Sequence, residues 1–402
     1  MNSITLGYSG VHQIIQLALA AQEMGELESL HCSLLDVPGK LGWLIAKIMK
    51  SPSASPLGGE EIDPRRVHEF SAPFFMGKIA GRLFPRHSGE QLATNRWFDG
   101  HVAKVLRRSA ARLFVGAESC ALLSFQAAKK RGIHCVLDCP GISAAFLDEQ
   151  ARKAAIEFHL NIPSSSNSTQ MQQRKSDELK LADRIFCCSE LQKRHLVSEG
   201  VPVERIRVNP LWTDVGFWGQ HADPQTRSAR PRPLRVLYAG GISLRKGVPY
   251  LLEATQKFNR DVTVTLAGSI APEMKAFLSK YRVDQIYPYL PKERLRELFQ
   301  AHDVLVMPTL GDSFGFVVLE AMAAGLPVIA TSHCGAPLPD ESWRVQAASV
   351  EAIAERLRHY MAQPDRLASD GALGTRFAAQ FTPARFRERA CGFFGELLTS
   401  PA

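Results

Sequence analysis

At 402 residues, 45% of them hydrophobic, the chain is too long for one ordinary core and suits two domains of roughly 200 residues each. A mean hydropathy near zero fits a soluble globular protein, and no stretch approaches the roughly 18–20 uninterrupted apolar residues that a membrane helix requires. The net charge of +8 gathers in residues 40–131, where 16 Lys and Arg stand against seven Asp and Glu, so the remaining chain sums to about −1.

Short apolar runs rich in β-formers alternate with longer helical patterns along the chain. The first expected strand, 4–8, starts almost at Met1, where no charged n-region or cleavage site marks a signal peptide. It ends in Gly7-Tyr8-Ser9-Gly10-Val11-His12, a thin glycine loop that opens a helix and makes Gly10 and His12 candidates for lining a ligand cleft. Further strands are expected at 29–35, 112–116, 135–138, 184–188 and 205–208. Lys40-Leu41-Gly42-Trp43-Leu44-Ile45-Ala46-Lys47-Ile48-Met49-Lys50 reads as a basic amphipathic helix, and Phe74, Phe75, Lys78, Arg82, Phe84 and Arg86 extend its character. Such a surface, spanning residues 40–86, suits an anionic bilayer; a core-packing helix with exposed lysines fits the pattern equally. Segments 51–59 and 161–173 are polar and aperiodic and are expected as loops.

Residues 215–233 are polar, lack periodicity and read as a linker. Beyond it, strands are expected at 235–239, 263–267, 285–289, 304–307, 327–330 and 344–346. Alternation of this kind in both halves predicts an α/β protein of two parallel, doubly wound, Rossmann-like sheets, with the ligand cleft at the carboxyl ends of the strands. The expected division is 1–214, the linker 215–233, 234–384, and a terminal helix in 385–402. The eight cysteines form neither a CxxC pair nor a zinc-finger spacing and are expected as reduced, buried thiols. No helix-turn-helix, RNA-binding or zinc pattern accompanies the positive charge, so a membrane surface or an anionic acceptor is a better partner for it than nucleic acid.

Two stretches carry chemistry. Gly240-Gly241-Ile242-Ser243-Leu244-Arg245-Lys246-Gly247 follows a strand and precedes a helix, where glycines allow close backbone approach and Lys246 offers a point charge to phosphate. It lacks the Gly-Lys-Ser/Thr order of a P-loop and the Gly-x-Gly-x-x-Gly of a dinucleotide site. By itself it is equally a helix start with an exposed lysine. The second is Met307-Pro308-Thr309-Leu310-Gly311-Asp312-Ser313-Phe314-Gly315-Phe316-Val317-Val318-Leu319-Glu320-Ala321-Met322-Ala323-Ala324-Gly325-Leu326-Pro327-Val328. Here a strand, a glycine loop and a short helix bring backbone N–H groups and a positive helix end to the mouth of a sheet, with Asp312 and Glu320 bracketing them. Asp312 could be only a helix cap. Glu320 sits among Val317, Val318, Leu319 and Met322, where a carboxylate needs a partner.

The second stretch resembles the Glu-x7-Glu region of the retaining, GT-B-fold glycosyltransferases of family 4 (glycosyl transferases group 1), which read Glu-x-Phe-Gly-x4-Glu-Ala-x-Ala-x-Gly-x-Pro-Val. It matches at Phe314, Gly315, Glu320, Ala321, Ala323, Gly325, Pro327 and Val328, and departs at Asp312, an acid one methylene shorter. Leu181-Ala182-Asp183-Arg184-Ile185-Phe186-Cys187-Cys188-Ser189-Glu190 is similar to the family's last N-terminal strand and following helix. The 239–247 stretch with Leu251-Leu252-Glu253-Ala254 is similar to its phosphate loop. The likeness is strong over residues 180–335, weaker over 1–150, and one of pattern only over the last 60.

The resemblance implies a GT-B fold with a cleft between the domains. It assigns the donor, a nucleotide-diphosphate-sugar, to Gly240, Gly241, Arg245, Lys246, Asp312, Ser313, Phe314, Gly315 and Glu320. Lys246 falls to the diphosphate, Glu320 to the ribose and Asp312 to the sugar. It implies transfer with retention, without metal or cofactor, to a glycan or lipid-linked acceptor in cell-surface polysaccharide or glycoconjugate synthesis. It also implies a cytoplasmic location at most peripheral to the membrane, and a last helix crossing back to the first domain. The family's N-terminal histidine position holds Ser143. That change and Asp312 keep a second reading open, a catalytically silent GT-B module that binds a nucleotide or glycan. A nicotinamide enzyme is disfavoured by the missing fingerprint.

Overall fold

Central strands buried on both faces, as those of a parallel sheet are, are joined by helices long enough to cross back over the sheet. The structure is a computed structural model that describes residues 3–10, 13–49, 61–83, 90–162, 169–220 and 233–399. The first half contributes β1 Ile4–Tyr8, β2 Leu27–Cys32, β3 Val67–Glu69, β4 Leu113–Ala117, β5 His134–Asp138, β6 Arg184–Cys187 and β7 Ile206–Val208. Its helices are α1 Ile14–Glu23, α2 Leu41–Met49, α3 Ala72–Leu83, α4 Glu90–Leu106, α5 Leu122–Lys129, α6 Ala144–Glu157, α7 Thr169–Leu181 and α8 Glu190–Ser198. After the short helix α9 Val215–Trp218, the second half runs through β8 Leu234–Ala239, β9 Val262–Ala267, β10 Gln285–Tyr287, β11 Val304–Met307, β12 Val328–Thr331 and β13 Arg344–Val345. Its helices are α10 Val248–Gln256, α11 Lys275–Leu278, α12 Lys292–Ala301, α13 Phe316–Ala323, α14 Val350–Ala362, α15 Asp365–Ala378 and α16 Pro383–Thr399.

The strands pair in parallel as a seven-stranded sheet, β3-β2-β1-β4-β5-β6-β7, and a six-stranded sheet, β10-β9-β8-β11-β12-β13. Each order reverses once, between β1 and β4 in the first sheet and between β8 and β11 in the second. Those are the switch points at which a crevice opens beyond the carboxyl ends of the strands. The helix α16 leaves the second domain and packs on α1 of the first. Phe386, Phe393, Phe394 and Leu397 are buried, Arg387 donates to Glu23 and Gln16, and Phe394 meets Phe186 of β6.

Three expectations change. The strand β3 has no counterpart in the sequence reading, because its three residues, Val67, His68 and Glu69, carry too little apolar pattern; pairing with Leu30, His31 and Cys32 makes it a strand. Residues 169–173 belong to α7 and not to a loop, since buried Arg174 and Glu178 tie that helix to Asp99 and to the loop after β4. The start of the expected linker is α9, capped by Asp214 and held by Trp218, which is buried against Phe299. Residues 51–59 and most of the linker lie outside the described residues. All eight cysteines are free thiols, seven of them buried. Among the described residues no helix is long and apolar enough to cross a membrane.

Candidate active site

The second switch point brings the two singled-out loops into contact. Leu305 of β11 pairs with Leu237 of β8, so the loops that leave these strands emerge side by side. The first is held by hydrogen bonds from Tyr238 Oη to the Gly241 carbonyl at 2.7 Å and from Ile242 N to the Ser269 carbonyl at 2.8 Å. It closes at Gly247, in the left-handed region at φ 70°, where a Cβ would overlap the Pro308 carbonyl oxygen. Only glycine lets α10 start this close to β11. The amide of Leu310 donates to the Arg245 carbonyl at 3.1 Å, stitching the loops together.

Lys246 Nζ thereby reaches Asp312 Oδ2 in an ion pair that is mostly shielded from solvent. The other oxygen, Oδ1, accepts from the amides of Phe314 at 3.3 Å and Gly315 at 3.1 Å, capping the turn into α13. Gly315 has φ 75°. The Asp312 main chain bridges to the loop after β12, its N donating to His333 and its carbonyl accepting from Gly335. Asp312 is therefore both a cap and a charge partner, and the loop is fixed from three sides. Phe314 is buried against Phe316.

Glu320, just over one turn into α13, is only partly exposed and makes no side-chain hydrogen bond or ion pair among the described residues. Burial pushes its carboxyl up to about 7, with Lys292 at the start of α12 opposing. A carboxyl without a partner, raised toward neutrality by burial, has free hydrogen-bonding capacity. Gly240, at φ 143°, and Gly241 lie in the loop that follows β8, and the Arg245 side chain is exposed.

Ser313 turns its carbonyl toward the first domain, where it accepts from Ser189 Oγ at 2.6 Å and from Cys188 Sγ at 3.3 Å. The helix α6 covers the loops from the same side. Leu147 lies where a Cβ on Gly311 would sit, Phe146 meets His333 edge-on at 5.0 Å, and Glu157 accepts from Tyr250 Oη at 2.5 Å. Ser143 is the cap of α6, accepting from Phe146 N at 3.4 Å, and it lines a cavity of about 500 Å³ with the ion pair of Glu118 and Lys175. Gly10 lies against the Tyr8 ring. His12 is outside the described residues.

Two features of the first domain escaped the sequence reading. Asp138 ends β5 fully buried, with Gln13 Nε2 donating to Oδ1 at 2.5 Å and Oδ2 without a partner; burial pushes its carboxyl up to about 7. An acid closing an apolar strand was the available signal. Ser189 and Gln192 form a capping-box spacing before α8, and Gln192 Nε2 donates to the carbonyls of Cys139 and Gly141, pinning the loop after β5.

Residues 233–363 match the family model described as Glycosyl transferases group 1. The likeness to that family lies within the second domain. Over 186 residues the chain is 28% identical to the D-inositol 3-phosphate glycosyltransferase of Arthrobacter sp. strain FB24, covering 42% of this chain and 44% of that one. The chain spans less than half the length of the curated D-inositol 3-phosphate glycosyltransferases it matches. Across its whole length it superposes on a sucrose-phosphate synthase from Thermosynechococcus elongatus, with a TM-score of 0.66, 18% identity and 99% of each chain covered. It also superposes on Anabaena HepE in complex with UDP-glucose, with a TM-score of 0.61, 14% identity, and 98% of this chain and 99% of that one covered. The architecture is thus GT-B, with Lys246 and Asp312 both at the switch point of the second domain.

Proposed function

We propose that the chain is a retaining, metal-independent glycosyltransferase of family 4 that moves a sugar from a nucleotide-diphosphate-sugar to a glycan or lipid-linked acceptor. The observation that supports this reading is the contact of the 240–247 and 308–315 loops, which brings Lys246 to Asp312 at the start of α13, the helix that carries unpartnered Glu320. Lys246 and the helix N-terminus offset the diphosphate charge, Glu320 accepts from the ribose, and Asp312 with the Phe314–Gly315 backbone faces the sugar. The sugar C1–O bond to the diphosphate breaks while the acceptor oxygen bonds to C1 on the same face, and the acceptor proton passes to the leaving phosphate oxygen.

The acceptor belongs to the first domain, over the loops after β1, β4 and β5. Exposed Leu41 and Leu44 on α2 and Phe75, Met76 and Ile79 on α3, beside the lysines, support a peripheral contact with an anionic bilayer and an acceptor made there. Cell-surface polysaccharide or glycoconjugate synthesis is the corresponding pathway class.

A thermal-shift screen with UDP, GDP, ADP, CMP and NAD tests the site, because a ligand that binds only the folded state raises its stability. One nucleoside diphosphate is expected to raise Tm by several degrees, and stabilisation by NAD alone would overturn the reading. Release of nucleotide from the matching sugar donor then separates an enzyme from the silent module. Glu320→Ala is expected to abolish turnover with the fold intact.

A further inference from the structure

A second cavity, of about 1040 Å³, lies between β2, β3 and the C-terminal half of α4, and shares no lining residue with the donor loops or α6. Its two carboxylates are already satisfied by the fold. Glu28 accepts from Thr5 Oγ1 at 2.8 Å and Ser109 Oγ at 2.6 Å, and Glu69 accepts from the amides of Leu35, Leu41 and Gly42. Its four cations are not. Lys40, Lys104, Arg107 and Arg108 line the cavity, and none has an ion-pair or side-chain hydrogen-bond partner among the described residues.

Three imidazoles complete the wall. His31 is 4% exposed, shares a hydrogen bond between Nε2 and Ser29 Oγ at 3.1 Å, and leaves Nδ1 without a partner. Its ring stacks on His68 at 5.1 Å and meets His101 edge-on at 6.4 Å. Burial holds all three below the ordinary imidazole value, with His68 and His101 adding to it at His31, which lies at about 3, Lys40 at His68 and Lys104 at His101. Among the described residues no group of three His, Cys, Asp or Glu could hold a metal ion. Unpaired cations around a buried, unsatisfied polar floor are complementary to a compact, multiply charged anion, which would take hydrogen bonds from the imidazoles and charge from the rim.

We infer that this cavity is an anion site, distinct from the donor site, for a ligand bearing a phosphate or diphosphate group, with Lys104, Arg107 and Arg108 supplying charge and His68 and His101 hydrogen bonds. The group reaches the cavity either on a lipid headgroup or on a free phosphate ester.

Inorganic pyrophosphate titrated into the full chain carrying Lys246→Ala, which removes the phosphate-facing lysine of the donor loops, is the direct test, with histidine Cε1–H signals followed by NMR. The His68 and His101 signals, assigned through single His→Gln variants, are expected to shift saturably. Adding Arg107→Ala and Arg108→Ala should weaken binding about tenfold or more, the loss expected for charged hydrogen bonds. Flotation with phosphatidylglycerol but not phosphatidylcholine vesicles, lost in the double arginine variant, assigns the group to a headgroup. Pyrophosphate binding without flotation assigns it to a free ester. Unmoved His68 and His101 signals, or equal affinity after removal of the two arginines, overturn the inference.

Discussion

Lys246 and Asp312 lie 66 residues apart in the chain and meet as an ion pair where the loops after β8 and β11 cross the switch point. Because Asp312 also holds the amides of Phe314 and Gly315, the lysine is aimed by the same carboxylate that starts α13. On the proposed reading, a diphosphate at that helix end would meet a charge already in place.

Lys246→Ala should therefore cost nucleotide binding more than stability. The pair is largely but not fully shielded, so its loss is expected to lower stability by only about 1 kcal/mol, while diphosphate affinity drops roughly tenfold to a hundredfold. Calorimetric titration of the stabilising nucleotide into both proteins measures this, and equal affinity removes Lys246 from the phosphate role.

The glycines of the 240–247 loop should differ sharply. Gly247→Ala places a Cβ on the Pro308 carbonyl at a positive φ, and a loss of roughly 2–4 kcal/mol is expected together with the nucleotide response. Gly241→Ala has no atom within 4 Å of its new Cβ and an ordinary φ, so its melting temperature should stay within about 1–2 degrees of wild type. A pair of melting curves decides it.

Stability should fall as pH rises through neutrality. Asp138 and Glu320 titrate near 7 in the fold, raised chiefly by burial, against ordinary carboxyl values when unfolded. The folded state then holds more protons than the unfolded one between about pH 4 and 7, so the stabilisation is full at the acid end and lost above 7. Urea unfolding at pH 5 and pH 8 should show Glu320→Gln gaining roughly 1–3 kcal/mol relative to wild type at pH 8 and little at pH 5. No pH dependence of that difference would place the Glu320 carboxyl at its ordinary value.

The crossing helix should behave as part of the first domain's core. Phe394 is fully buried and meets both Phe186 and Phe393, so Phe394→Ala is expected to cost about 3–5 kcal/mol. Chemical denaturation gives the value, and a loss under 1 kcal/mol would mean that α16 is only loosely docked.

The sequence by itself determined the architecture and pointed to the two loops that meet at the candidate site. Runs such as Val304–Met307 and Leu113–Ala117 are apolar throughout, which only a strand covered on both faces tolerates, so two parallel sheets followed from local pattern. Gly247, Asp312 and Gly315 were legible as turn and helix-start residues because backbone conformation and helix ends are local. Tertiary structure alone decided the rest. Three-residue β3 exists only because β2 offers it an edge, and α9 is helical because Trp218 finds Phe299. Ser189 on Ser313, buried Asp138 on Gln13, and His31 among His68 and His101 join residues tens to more than a hundred positions apart. No periodicity encodes such meetings, because they depend on how helices and strands pack once formed.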